Sequence, residues 1–397
     1  MTLGNMDLAN IGEADLESLV SAGVPEGRDL DYKRELPGRS DADKREFLGD
    51  VCSLANVGGG DLVFGMDEEA GVASEVRGVE LPDPDGEILR LESIIRSGLD
   101  PRLQGVRSRA VELPSGRRVL IVRIPRSFNR PHAVARDGRL RFHSRDSRGK
   151  YDMDVAEVRD AVLAGGALAE RLRSFRAGRM SKLVSGETPL DLSGLAMVAL
   201  HLLPLSAFDV PGPGVDLGAA YRAPGGFLPI GQGGTHRHNF DGLLVHGQTG
   251  GRPKARSPEG YALLFRSGII EAADSFLLWP EQDGPIIPSD LFERDLLNSV
   301  GRYMELLAHL GVEGPVYVAL SLLNVRGYRI ATDAVRPSAV REVDRDDLVV
   351  PEVMAEGPRL ERPGVEALMQ PVFDQVWNAC GLARSMNYDA SGRWAVS

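Results

Sequence analysis

The sequence predicts an α+β fold in two domains, on three observations. Its 397 residues exceed what one core of ordinary size holds. Apolar runs of strand length, bounded by Gly, Pro and Asp, are interspersed with segments of helical periodicity. Two pairs of those runs are joined by hairpin chemistry: Pro114-Ser115-Gly116 between Arg107–Leu113 and Arg118–Pro125, and Asp137-Gly138 between His132–Val134 and Leu140–His143.

Taken in order, Leu8, Ile11, Leu16, Leu19 and Val20 predict one or two short helices, stopped by Gly23-Val24-Pro25. Leu30 to Lys33 reads as a strand. Lys44 to Ala55 places Phe47, Val51, Leu54 and Ala55 at helical spacing, and Gly58-Gly59-Gly60 ends that helix. Asp61 to Met66 is a short apolar strand, after which Asp67 and Glu68 are expected to begin a turn, where carboxylates project into a loop. Val72 to Val79 reads as strand and turn, Glu87 to Ser97 as a helix, and Met153 to Leu163 as the helix that finishes the first domain, residues 1–165. Residues 166–188 form a basic helical connector, in which Leu168 to Val184 carries Arg171, Arg173, Arg176, Arg179 and Lys182 against Glu170 alone. Residues 189–397 then make a second α+β domain of unknown family, with a sensing or docking role. Its strands are expected at Ala196–Leu203, Asp241–His246, Tyr261–Phe265 and Ile269–Phe276, with Val316–Leu323 and Gly327–Ala331 as a pair. A helix from Ser289, its N-cap, to Leu310 and a closing helix from Val365 to Cys380 complete it.

An apolar fraction of 43% fits a soluble globular protein, and no apolar run reaches the roughly 18 residues that a membrane span needs. The N-terminus has no basic region leading into an apolar one, so a secretory signal is not expected, and the chain reads as cytoplasmic. Cys52 and Cys380 stand far apart without metal-ligand spacing, which excludes a cysteine-built zinc site and suits a reducing compartment. The net charge of −11 argues against a polyanionic partner, but its distribution does not: Arg102 to Lys150 carries fourteen Lys/Arg against three acidic residues. Such a stretch can be a phosphate-binding face or a solvated surface of paired charges.

The stretch from Glu26 to Gly71 carries the sharpest pattern: Glu26, then Asp31-Tyr32-Lys33, then Leu54-Ala55-Asn56-Val57-Gly58-Gly59-Gly60, then Gly65-Met66-Asp67-Glu68 with Gly71. These motifs, continued through Asp100-Pro101, Arg130-Pro131-His132-Ala133 and Gly138 to His143, resemble the Schlafen AlbA_2 domain over about the first 160 residues. The resemblance implies a mixed sheet with flanking helices and a metal-dependent endoribonuclease acting on structured RNA such as tRNA, in antiphage or stress defence. Glu26, Asp31 and Glu68 would hold Mg²⁺ or Mn²⁺ as metal ligands and catalytic acids, with Lys33 against a phosphate. By spacing alone the same three acids read more readily as ordinary exposed carboxylates, although oxygen ligands of this kind suit a hard divalent cation. Asp31 and Glu68 each differ by one methylene from the usual residue at the matching place. Arg130, His132, Arg139, Arg141, His143, Arg145, Arg148 and Lys150 are the candidate nucleic-acid contacts. The clamp known in eukaryotic relatives pairs two such lobes where this chain has one, so a homodimer is expected, with the apolar stripe Leu291, Leu296, Val300, Met304, Leu307 and Leu310 as a candidate contact or simply a core face.

Two alternatives stay open. One is a non-catalytic nucleic-acid-binding regulator, binding RNA or DNA, in which the acids are structural. The other follows from the frequent labelling of this domain type as ATP-binding. Gly58-Gly59-Gly60 come after a helix and before a strand, the reverse of a phosphate loop, so helix termination and close chain approach explain them better. His236, His238, Asp241 and His246 have metal-like spacing, but their glycine-rich surroundings favour loop hydrogen bonding.

Overall fold

The computed structural model describes all residues except 1–2, 137, 209–213, 224, 232, 248–259, 282–283, 334–335 and 396–397. Mixed sheets and helices give the α+β class expected. The chain divides into Met1–Ala167 and Leu168–Ser397. No helix among the described residues is long and apolar enough to cross a membrane.

The first unit is built on a four-stranded sheet of β1 (Leu30–Lys33), β2 (Gly60–Phe64), β7 (Arg118–Ile124) and β6 (Arg107–Glu112), in that order. Strand β1 runs parallel to β2 and the other pairs are antiparallel. Alternation along β7 sorts its two faces. Leu120, Val122 and Ile124 pack with Leu62 and Phe64 under helices α2 (Asp41–Val57) and α3 (Pro84–Gly98). Val119 and Ile121 pack with Tyr32 and Val63 under the N-terminal segment and helix α1 (Glu13–Ser21). Helix α2 starts at a capping box, in which Ser40 Oγ accepts from Asp43 N and the Asp43 carboxylate accepts from Ser40 N, both at 3.1 Å.

Glycine is required where α2 returns to the sheet. A Cβ on Gly59 would lie 2.6 Å from Arg126 N and Ile124 O, and one on Gly60 would lie 2.4 Å from Asp29 O. Both positions also have positive φ, so close approach of β1 and β7 demands the glycines, as the chain order suggested.

After β2 the chain turns at Gly65 into a two-stranded ribbon, β3 (Met66–Glu69) and β4 (Val72–Val76). Asp67 and Glu68 therefore sit within a strand, and the turn falls at Ala70-Gly71, both at positive φ. The remaining strands, β5 (Leu99–Asp100), β8 (Ala133–Arg136), β9 (Arg139–Asp146) and β10 (Gly149–Asp152), form an antiparallel sheet in the order β10-β9-β8-β5. Asp137, in the β8–β9 connection, lies outside the described residues. Helix α2 packs against β8 and β9 as well as the first sheet. Asn56 fixes that contact: its Nδ2 donates to His132 O and His143 O, each at 2.9 Å, and its Oδ1 accepts from His132 N at 2.7 Å.

Helix α4 runs unbroken from Val155 to Ser185, where two helices were expected, and the division between the units falls within it. Gly165 and Gly166 weaken a helix by about 1 kcal/mol each without forbidding it, and their Ala and Leu neighbours are strong helix formers.

In the second unit a central antiparallel sheet is ordered Gly234–His238, Gly242–Gly247, Gly260–Phe265, Ile270–Asp274, Met197–Pro204 and Val316–Leu323, with Leu348–Val349 and Val353–Ala355 both paired to the last. Helices Ser289–His309 and Arg362–Ala379 share one large core with it. Sequence expectations are corrected here, and the open reading of the apolar stripe is decided. Arg329–Ala331 pairs in parallel with Gly284–Pro288 rather than with Val316–Leu323. Pro288, not Ser289, occupies the N-cap. Leu296, Val300, Met304 and Leu307 are fully buried and Leu291 and Leu310 pack against the same core, so that stripe is a core face and not a surface for a second copy. His236 and His238 lie on a strand rather than a loop, and among the described residues no group of three or more His, Cys, Asp or Glu is arranged to hold a metal.

Candidate nucleic-acid interface and the acids behind it

Alternate residues of a strand face one way, so the run R-L-R-F-H-S-R-D of β9 sends Arg139, Arg141, His143 and Arg145 to one face. Exposure falls along that row. Arg139 and Arg141 are exposed, His143 is half-buried, and Arg145 is 4% exposed.

At the open end the row borders a cleft of about 680 Å³, lined by Arg139, Arg141 and Lys150 together with Arg45, Glu46 and Gly49 of α2. Arg136 also lines it and is held 3.2 Å from Asp41. Lys150 Nζ lies 2.8 Å from both Glu46 Oε1 and Asp50 Oδ1. Gly49 makes room for this seat: a Cβ there would come 3.0 Å from Lys150 Nζ and 3.5 Å from His143 Nε2. His143 Nδ1 faces Asp152 Oδ1 at 2.8 Å, yet burial, helped by Lys150 and Arg141, holds the ring below its ordinary pKa, so it is neutral at pH 7. Arg139 and Arg141 have no ion-pair partner among the described residues.

At the closed end the charges interlock. Lys33 Nζ bridges Asp50 Oδ2 at 3.4 Å and Asp31 Oδ1 at 3.0 Å, and Arg145 donates to Asp31 Oδ2 at 2.6 Å and to Gly27 O at 2.8 Å. Asp31 and Asp50 are 3% and 4% exposed, a burial that carboxylates tolerate only when paired. Burial opposes the ionisation of Asp31, but Lys33 and Arg145 outweigh it and hold its pKa below the usual range. Glu26 goes the other way. Burial, with a hydrogen bond to Asp31, pushes its pKa up to about 7, against the 2.7 Å bond that it accepts from Tyr32 N. Glu26 and Asp31 thus form a carboxyl pair with one negative charge at pH 6.

Glu68 is exposed, and its Oε2 accepts from Gly71 N. Gly71 O in turn accepts from Glu26 N, so one residue joins the third acid to the pair. As arranged, the set does not fit a divalent cation: Asp31 is balanced by two protein cations, and Glu68 is turned to its own loop.

The structure removes two residues from the expected phosphate face. His132 is fully buried, with Pro101 O 2.6 Å from Nδ1 and Ser127 Oγ 2.6 Å from Nε2, and burial depresses its pKa. Arg145 is committed to Asp31, as above. Arg130 donates to Val57 O at 3.2 Å at the end of α2, and the exposed Arg148 lies 3.1 Å from Asp146 Oδ2. The wider basic stretch is also divided: Arg123 is buried against Asp61 at 2.8 Å on the first sheet. Sequence reasoning passed over Arg45, Glu46 and Asp50. A lone acid inside the apolar run Gly49-Asp50-Val51-Cys52 was the available signal, since such a residue is buried only with a partner.

Residues 26–154 match the family model described as Schlafen, AlbA_2, so the first unit contains a domain of that kind. No curated protein matches the chain. Among solved structures, a protein from Corynebacterium diphtheriae is 22% identical at a TM-score of 0.26, over 37% of this chain and 27% of that one. The N-terminal domain of a RecG-related protein from Nitrosomonas europaea is 23% identical at a TM-score of 0.26, over 32% of this chain and 84% of that one.

Proposed function

We propose that the first unit binds nucleic acid, RNA in preference to DNA, in the cleft between β9 and α2. The observation that carries this reading is the pair Arg139 and Arg141, exposed on one strand face beside a cleft and without ion-pair partners among the described residues. Planar guanidiniums two residues apart match the oxygens of successive phosphates. In a chain of net charge −11 most of the surface repels a polyanion, so binding must be local. The Schlafen AlbA_2 match supports the same reading. Labelled RNA and DNA titrated at low salt test it. Arg139→Glu with Arg141→Glu should abolish binding while leaving the unfolding midpoint in place, and undiminished binding would contradict the proposal.

A second reading is hydrolysis: a metal-dependent endoribonuclease acting on structured RNA such as tRNA, with Glu26, Asp31 and Glu68 taking Mg²⁺ or Mn²⁺. It is favoured by the hydrogen bond between Glu26 and Asp31 and by the link from Glu68 through Gly71. Against it stands the poor fit of the present arrangement to a cation. Incubation of tRNA with the protein and Mn²⁺ separates the two: cleavage that Glu26→Gln abolishes favours hydrolysis, and bound but intact RNA favours binding alone. A homodimer belongs to the hydrolytic reading, and light scattering coupled to size exclusion reports it directly.

A further inference from the structure

Strand β10 is the outer strand of its sheet, and its residues face two depressions. Lys150 and Tyr151 line the cleft that holds Arg139 and Arg141, and both also line a second concavity of about 540 Å³ with Asp146, Arg148 and Gly149. The edge strand is therefore a ridge between two hollows, with arginines on either side of it. On the ridge stands Tyr151, 38% exposed, its hydroxyl donating to Glu157 Oε1 at 2.8 Å. That bond ties down the polar tip of the ring. The exposed part of the ring needs another explanation.

Resting on the nucleic-acid reading above, we infer that this site takes an unpaired strand of RNA, which crosses β10 from one hollow to the other and stacks a base on Tyr151. In a duplex each base is covered by its neighbours, and protein contacts fall on phosphates, hydroxyls and helix shape. Only a base out of the stack can lie on an aromatic ring, and such stacking is largely indifferent to sequence. The flanking phosphates meet Arg139 and Arg141 on one side and Arg148 on the other, with Lys150 shared. The acidic neighbours Glu46, Asp146 and Asp152 keep the charge localised, so the aromatic contact decides between single and double strands.

Fluorescence anisotropy with a short unstructured oligoribonucleotide, and with its duplex of equal length, tests the inference. The single strand should bind at least about 10-fold more tightly. Tyr151→Ala should weaken single-strand binding by about 5- to 100-fold with the salt dependence unchanged, and Tyr151→Phe, which keeps the ring and loses the Glu157 bond, should stay within about twofold. Equal or tighter binding of the duplex, or no effect of Tyr151→Ala, would overturn the unpaired-strand inference and leave the nucleic-acid reading intact. An unaltered protein that binds neither form would overturn both.

Discussion

Asp31 in the first unit and Glu271 in the second are both buried carboxylates held by an arginine. Glu271 is fully enclosed: Arg179 donates at 2.7 and 2.6 Å, Tyr261 Oη at 2.6 Å, and His201 Nε2 lies at 3.0 Å. Burial opposes its charge, but Arg179 and His201 hold its pKa down to about 2. Arg179 comes from helix α4, and Glu271, Tyr261 and His201 from three strands of one sheet, so the cluster fastens that helix to the sheet. Asp31 instead belongs to a chain that stays open. Its partner Lys33 passes the contact to Asp50 and then to Lys150 at the cleft, while Glu26 beside it changes protonation near neutral pH. The Glu271 cluster closes on itself, whereas the Asp31 chain reaches the cleft.

That contrast can be broken in order of expected effect. Arg179→Met leaves Glu271 buried without its bidentate partner, and denaturant unfolding should show the second unit less stable by about 3–5 kcal/mol. RNA binding by the folded protein should not change. Asp50→Asn should cost about 1–3 kcal/mol by the same measurement, because Lys33 and Lys150 lose a shared charged acceptor. It should also tighten RNA binding several-fold, since Lys150 is then restrained by Glu46 alone. A loss of affinity instead would mean that Asp50 aligns Lys150 and does not restrain it.

Glu26 gives a smaller effect with a definite sign. A carboxyl with a folded pKa of about 7 and an ordinary value of 4.5 keeps a proton that the unfolded chain has lost. Its contribution to stability is therefore fullest below pH 4.5 and is lost as pH rises to about 7. Glu26→Gln, which mimics the protonated form, should match the wild type at pH 4 and exceed it at pH 8. A parallel pH dependence in the two proteins would contradict the pair. Smallest of all should be the response to metal: at pH 7, Mg²⁺ or Mn²⁺ should move the unfolding midpoint by no more than about 1 °C. A larger shift, lost in Asp31→Asn, would favour the hydrolytic reading.

Much of this was legible in the chain. The helices read over Lys44–Ala55 and Ser289–Leu310, the central strands and the α+β class follow from periodicity, and Asn56, quoted in the sequence only as part of a motif, makes three hydrogen bonds that join α2 to the second sheet. Long-range pairing was not legible. Nothing local distinguishes Arg145, which ends on Asp31, from Arg141, which stays in solvent, because the two share a strand face and differ only in what α2 and β1 bring to them. His132 was misplaced for the same reason: it precedes β8, and its partners, Pro101 and Ser127, come from outside that strand. Asp67 and Glu68 were read as a turn because the polarity of Met66-Asp67-Glu68-Glu69 hid a ribbon strand, completed by Val72–Val76.

Arg139 and Arg141 are proposed to hold phosphates. The salt dependence of RNA affinity tests that proposal most directly, in the wild type and in the double variant Arg139→Ala with Arg141→Ala. The logarithm of affinity should fall linearly with the logarithm of salt concentration, and the double variant should bind more weakly with a slope shallower by about one to two units. An unchanged slope, or a flat one in the wild type, would contradict the account.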